Sequence, residues 1–138
     1  MNHIQSPATG DQAIERAIVS AGANIAPRVT PADIEAAIVS EHYFTAEDGR
    51  AGAIQRGAYE GRELPVDGDA DIDALKLLTF CVLVLRNGFT VTGESACASP
   101  ENFNSEIGRR IAREKAVSKV WPLLGYALKD KLAQERAA

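Results

Sequence analysis

The sequence predicts an α+β fold: N-terminal helices, a central antiparallel β-hairpin or small sheet, and long C-terminal helices packed on it. Three observations carry this. Two β-rich runs, Leu77 to Leu85 and Phe89 to Thr92, flank Asn87-Gly88, a pair favoured in tight hairpin turns. Apolar residues recur at helical spacing on both sides of that hairpin. A stretch rich in Gly, Asp and Arg separates the early helices from it.

Residues 1–10 are polar, hold Pro7 and Gly10, and predict a loose start. Ile14, Ala17, Ile18 and Ala21 predict a helix from Asp11 to about Ala21. Thr30-Pro31 has the form of an N-cap followed by proline at the first helical position, so a second helix is predicted from Pro31 to about His42. Ala13 to Ser20 recurs, offset by twenty, as Asp33 to Ser40, which predicts a helical pair or a duplicated docking helix unless the likeness is chance. Six residues, Gly49, Gly52, Gly57, Gly61, Pro65 and Gly68, punctuate residues 47–73, which predict a long loop with at most a helical turn near Ala53-Ile54.

The first hairpin strand is nearly continuous in apolar residues, so cover on both faces is expected. Asn87-Gly88 predicts a type I′ turn with positive φ at both positions. Ser99-Pro100-Glu101-Asn102 predicts a turn or cap. A long helix from about Asn104 to Trp121 follows, Pro122 stops or bends it, and a last helix runs from about Leu123 to Glu135.

The chain has 138 residues, the length of one domain (1–138), with 46% apolar and 25% charged residues, ordinary for a soluble globular protein. Net charge is −4, which argues against duplex nucleic acid as a partner without excluding a local basic site. Two cysteines, Cys81 and Cys97, make neither a disulfide framework nor a zinc spacing, and predict a reduced compartment. Met1 to Pro7 lacks a signal-peptide layout, and the run Phe80 to Leu85 is too short to span a membrane. No membrane association and an intracellular setting are expected.

The long helix is unusual. Projected at 100° per residue, Phe103, Val117 and Trp121 lie near one direction, with Arg110 and Glu114 among them and Ile107 and Ile111 alongside. Ala112, Ala116 and Val120 form a second apolar stripe, close to Arg109 and Arg113. Such a helix is not cleanly amphipathic. In the bland reading Arg110 pairs with Glu114 and the arginine stems lie over the core. In the sharper one Arg109, Arg110 and Arg113 offer guanidinium forks to phosphate oxygens while Phe103 stacks a base. Gly108 fits either reading, as a site of close approach. His42-Tyr43-Phe44 is either a helix end packed on the core or a second wall of that ligand site.

Catalytic signals are weak. Gly93-Glu94-Ser95-Ala96-Cys97 has Cys97 where a nucleophile elbow ends in glycine. Cys97 has only His3 and His42 as possible bases. Neither a phosphate-binding Gly-rich loop nor convincing metal-ligand spacing is present. Asp67, Asp69, Asp71 and Asp73 resemble part of a calcium loop without its closing glutamate. No enzyme activity, catalytic residue, metal or cofactor is expected.

The block from Leu85 to Cys97, with Pro100-Glu101-Asn102-Phe103-Asn104 and Gly108-Arg109-Arg110-Ile111-Ala112, resembles a family of small conserved bacteriophage proteins. The likeness continues through Ala116, Trp121 and Gly125-Tyr126, and upstream through Ala37 to Phe44. Residues 1–28 and 47–73 fall outside it. The resemblance implies kinship with the Thoeris anti-defence proteins, sponges that bind cyclic ADP-ribose isomers without cleaving them; related sponges take cyclic oligonucleotides of other anti-phage systems such as CBASS. The resemblance implies a cyclic-nucleotide ligand, a homo-oligomer (dimer or hexamer) with sites between subunits, and action in the cytoplasm of the infected bacterial host. It implies that Phe103 stacks adenine, that Arg109 holds phosphate with Arg113 or Arg110 assisting, and that Asn104 or Asn102 reads a base edge or ribose. Two other functions compete: direct contact with a host protein that inhibits it, and a phosphodiesterase-like hydrolase, which needs acid/base or metal groups that the sequence does not display.

Overall fold

The computed structural model describes residues 10–58 and 69–137. Its elements are α1 (Gly10–Ser20), α2 (Pro31–Ala37), β1 (Ile38–Thr45), α3 (Ala46–Gln55), α4 (Asp69–Leu75), β2 (Leu78–Leu85), β3 (Thr90–Ala96), a 3₁₀ turn (Pro100–Asn102) and α5 (Ser105–Ala137). The fold is α+β, as the sequence predicts, with one antiparallel sheet in the order β1-β2-β3. The chain divides into two compact units: residues 38–120, and residues 1–37 with 121–138.

In the unit of residues 38–120, the first corrected expectation is β1. The helix predicted to reach His42 stops at Ala37, and the next eight residues are a strand. Ile38, Val39, Tyr43, Phe44 and Thr45 have branched or aromatic side chains that suit a pleated surface, and pairing with β2 supplies backbone partners no isolated segment could find. The twenty-residue repeat is structural only in part: residues 13–17 and 33–37 are both helical, whereas Ile18-Val19-Ser20 closes a helix and Ile38-Val39-Ser40 opens a strand. A bulge near Val39 breaks the register between Ile38 and Ser40 and leaves Val39 exposed.

Strand β2 alternates, with Thr79, Cys81, Leu83 and Leu85 buried and the residues between them half-buried. Both faces are thus covered, one completely and the other in part. Register sets Glu41, Tyr43 and Thr45 of β1 and Val91, Gly93 and Ser95 of β3 on the buried face. The first half of α5 covers that face. A Cβ on Gly93 would stand 2.1 Å from the Ala112 carbonyl oxygen and 2.4 Å from the Ala116 nitrogen. Glycine there, with Ala112 and Ala116 wholly buried, lets helix backbone reach sheet backbone. Gly108 allows a second close approach, 3.1 Å from its Cβ position to Thr79 Oγ1. On the other face Phe44 and Phe80 meet with ring centroids 5.7 Å apart, next to Gly49 of α3.

The hairpin forms, but its turn is not type I′. Gly88 N–H donates to Leu85 O at 2.8 Å and Leu85 N–H donates to Phe89 O at 2.8 Å. Gly88 has φ 88°, while no described non-glycine residue has positive φ. The loop is three residues, Arg86-Asn87-Gly88, closed by a left-handed glycine. Asn87 Oδ1 accepts the Phe89 N–H at 3.0 Å, a local bond that suits Asn87 to its negative φ.

The predicted loop of residues 47–73 holds two helices. Thr45 caps α3 through a reciprocal box: Thr45 Oγ1 accepts from Asp48 N–H at 3.1 Å, and Asp48 Oδ2 accepts from Thr45 N–H at 2.9 Å. Gly49 and Gly52 lie within α3 and hide it from a propensity reading. Helix α4 begins at Asp69, and residues 59–68 lie outside the described residues, as do residues 1–9 of the expected loose start.

In the other unit, α1 starts at Gly10 and closes with a left-handed Gly22 (φ 70°) and an Ala23 N–H to Ile18 O bond of 3.0 Å. Arg28 forms a bidentate ion pair with Glu15. Trp121 Nε1 donates to Asp11 Oδ2 at 3.0 Å. Thr30 caps α2 in a second reciprocal box with Asp33. The two predicted C-terminal helices are one helix, α5, of 33 residues, with Pro122 inside it. Proline removes the bond to the Ser118 carbonyl, but Ser118 and Pro122 are both exposed, so water can serve that oxygen.

Candidate functional site

The residues proposed to touch a ligand fall into three groups. Asn102, Phe103 and Asn104 lead into α5. Phe103 is half-buried, its ring edge 4.0 Å from the Gly108 Cβ position, and its N–H donates to Pro100 O at 3.1 Å. Asn104 caps the helix: its Oδ1 accepts the Ile107 N–H at 3.0 Å, so that oxygen is already engaged. Asn102 is exposed at the end of the 3₁₀ turn.

The arginines form the second group. Arg109 and Arg110 are exposed in the second turn of α5. Arg110 meets Glu114 only loosely, at 3.9 Å. Arg113, one turn beyond Arg109, is drawn to the sheet: its Nε donates to Glu41 Oε1 at 2.8 Å and its Nη2 to Glu41 Oε2 at 3.2 Å. The stripe of Ala112, Ala116 and Val120 is wholly buried, and Val117 of the other direction is buried too, but Ile107 and Ile111 beside it stay exposed, so the cover that the projection suggests on more than one side is incomplete.

The third group separates. His42 and Tyr43 are neighbours on a strand, so they point to opposite faces. His42 meets Ser40 Oγ at 3.0 Å. Tyr43 lies on the helix-covered face and its hydroxyl donates to Glu41 Oε1 at 2.6 Å. Structure therefore unites Arg113 with Tyr43 and leaves His42 apart.

Glu41 joins these two, and sequence reasoning missed it. In a helix ending at His42 it was one more polar position; in a strand, Glu41 and Tyr43 share a face at spacing two. Arg113 holds the Glu41 carboxyl below its ordinary range, against the opposing effect of burial. Burial, then the Glu41 hydrogen bond, pushes the Tyr43 hydroxyl far above its ordinary range, so it stays a neutral donor. Cys81, the register partner of Tyr43, is fully buried and its thiol is pushed up by burial.

Other candidates fall away on geometry. Ser95 pairs with Thr79 inside β3, so no strand-turn-helix elbow presents it. Cys97 Sγ donates to Ser99 O at 3.2 Å. Asp69 to Asp73 are helical, not a calcium loop; Asp67 and His3 lie outside the described residues. Among the described residues, no group of three His, Cys, Asp or Glu side chains is placed to hold a metal. No described helix is long and apolar enough to cross a membrane. In the other unit a groove of about 180 Å³, lined by Ile14, Ile18, Val29 and Trp121 with Asp11 and Glu15, contains none of the proposed ligand residues.

Together these features define an α+β protein with an arginine-bearing helix laid across a small antiparallel sheet. Residues 29–132 match the model of the phage protein (N4 Gp49/phage Sf6 gene 66) family, and the chain belongs to that bacteriophage family. No curated protein and no solved structure matches it.

Proposed function

We propose that this phage protein is a sponge that binds and sequesters a cyclic nucleotide immune signal, a cyclic ADP-ribose isomer or a cyclic oligonucleotide, without cleaving it. The site is the start of α5, completed by another subunit of a homo-oligomer in the cytoplasm of the infected bacterium. The observation that carries this reading is the set of three arginines, Arg109, Arg110 and Arg113, which follow the half-buried Phe103 within the first three turns of α5. Guanidinium forks suit phosphate oxygens, and an aromatic face suits a base. Asn102 and the free amide end of Asn104 stand beside them as donors for ribose or base. Val82 and Val84, half-buried on the sheet face opposite α5, would suit a covering subunit.

The test is depletion and recovery. Stoichiometric protein should remove cyclic ADP-ribose or a cyclic trinucleotide from a filtrate, and heating should return it intact. Failure to deplete any of these ligands sinks the reading, and return of a cleaved product replaces it with a hydrolase.

A second reading, direct inhibition of a host protein, draws on Ile107 and Ile111, which are 57% and 38% exposed on α5. It requires one dominant host partner whose capture is lost on Ile107→Asp and kept on Phe103→Ala.

A further inference from the structure

We propose that Glu41 is an internal anion that occupies the Arg113 fork and thereby sets the affinity and selectivity of the ligand site. This rests on the nucleotide-binding reading above. The Nε and Nη2 donors of Arg113 form the guanidinium edge that meets a carboxylate or a phosphoryl group side-on, and Glu41 already takes both. Tyr43 donates its hydroxyl to the same carboxylate, so a second donor on that wall is also engaged. Both side chains of the ion pair are about one-third exposed, at 29% and 34%, so solvent and solutes reach the pair.

An incoming anion must displace Glu41 or accept its repulsion at close range. A singly charged carboxylate gains nothing by the exchange, because it replaces like with like. A diphosphate brings more charge and more acceptor oxygens, and on displacement it meets both the Arg113 fork and the Tyr43 hydroxyl. Glu41 thus discriminates for phosphoryl-rich ligands by making weak anions lose. The Glu41 side chain is 34% exposed, so it can swing toward solvent by rotation about its own bonds while the backbone pairing of β1 with β2 stays in place.

Cyclic ADP-ribose is the probe, titrated calorimetrically into wild type, Glu41→Gln, Arg113→Ala and the double variant. Glutamine keeps the shape and an acceptor for Tyr43 but removes the charge. Glu41→Gln is expected to bind roughly fivefold to tenfold tighter than wild type. In the Arg113→Ala background the same change is expected to give less than about twofold, because the effect runs through Arg113. Equal or weaker binding by Glu41→Gln, with wild type binding, overturns this role and leaves the sponge reading standing; such a result makes Glu41 a positioning group. If neither wild type nor Glu41→Gln binds the probe or a cyclic trinucleotide, both readings fall. Thermal unfolding of each variant separates a binding change from loss of fold.

Discussion

At the scale of single residues, two glycines with the same lack of side chain have opposite expected roles. Gly93 sits where a Cβ would collide with helix backbone, at 2.1 Å and 2.4 Å, and neither atom can retreat without moving α5. Gly93→Ala should lower unfolding free energy by about 3 kcal/mol or more, measured by chemical denaturation. Gly49 lies inside α3 with only the edge of the Phe44 ring at 3.9 Å, so Gly49→Ala should instead stabilise by about 0.5–1 kcal/mol. Glu41 carries a pH signature. Its folded carboxyl titrates below the unfolded value of about 4.3, so the pair with Arg113 stabilises the fold above that pH. That contribution is lost as pH falls through the lowered folded value. Because the pair is one-third exposed, it is worth about 1 kcal/mol or less. Wild type should therefore melt slightly above Glu41→Gln at pH 7, and the two curves should converge as the pH falls through the lowered folded value. A gap that persists unchanged at acid pH assigns the difference to something other than this charge.

At the scale of elements, the boundaries show which signals a sequence carries locally. The hairpin and the N-cap at Thr30 were legible because Asn-Gly and Thr-Pro act through their own backbones. β1 was not: Ile34, Ala37 and Ile38 continue a helical period, and only β2, some forty residues on, makes a strand the better solution for Ile38–Thr45. The same miss hid Glu41, since its spacing to Tyr43 has meaning only in a strand. α3 was hidden by its glycines, yet Thr45 and Asp48 spelled its start as a capping box with aspartate in place of the usual glutamate. That box should matter: Thr45→Ala is expected to lower stability by about 1 kcal/mol, with loss of early amide protection in Asp48 by hydrogen exchange. Pro122 gives the converse case. A proline inside a continuous helix costs helix stability, so Pro122→Ala should raise the melting temperature and increase helical ellipticity.

At the scale of the whole molecule, the candidate site was partly legible for a physical reason. A helical projection is a statement about one element, and it correctly set Ala112, Ala116 and Val120 apart as a stripe. It could not say that Arg113 would be taken by a strand seventy-two residues earlier, nor that His42 and Tyr43 would part to opposite faces. Those facts belong to the assembled sheet-and-helix unit, and its integrity can be read from inside. Cys81 has no exposed surface and lies beneath α5 in the central strand, while Cys97 follows β3 and is half-exposed. Burial also pushes the Cys81 thiol up, so its reactive thiolate is scarce even where a reagent could reach it. Access requires α5 to leave the sheet, which breaks the Gly93, Ala112 and Ala116 contact and the Arg113–Glu41 pair together. At pH 8 a thiol reagent should modify Cys97 first and Cys81 at least about a thousandfold more slowly, the ratio expected if opening costs several kcal/mol. Gly93→Ala should narrow that ratio by the same factor by which it weakens the fold, whereas Thr45→Ala should narrow it less. Two cysteines that react at one rate in wild type would mean that α5 is not held on the sheet in solution, and the Arg113–Glu41 pair would then lack the scaffold its role requires.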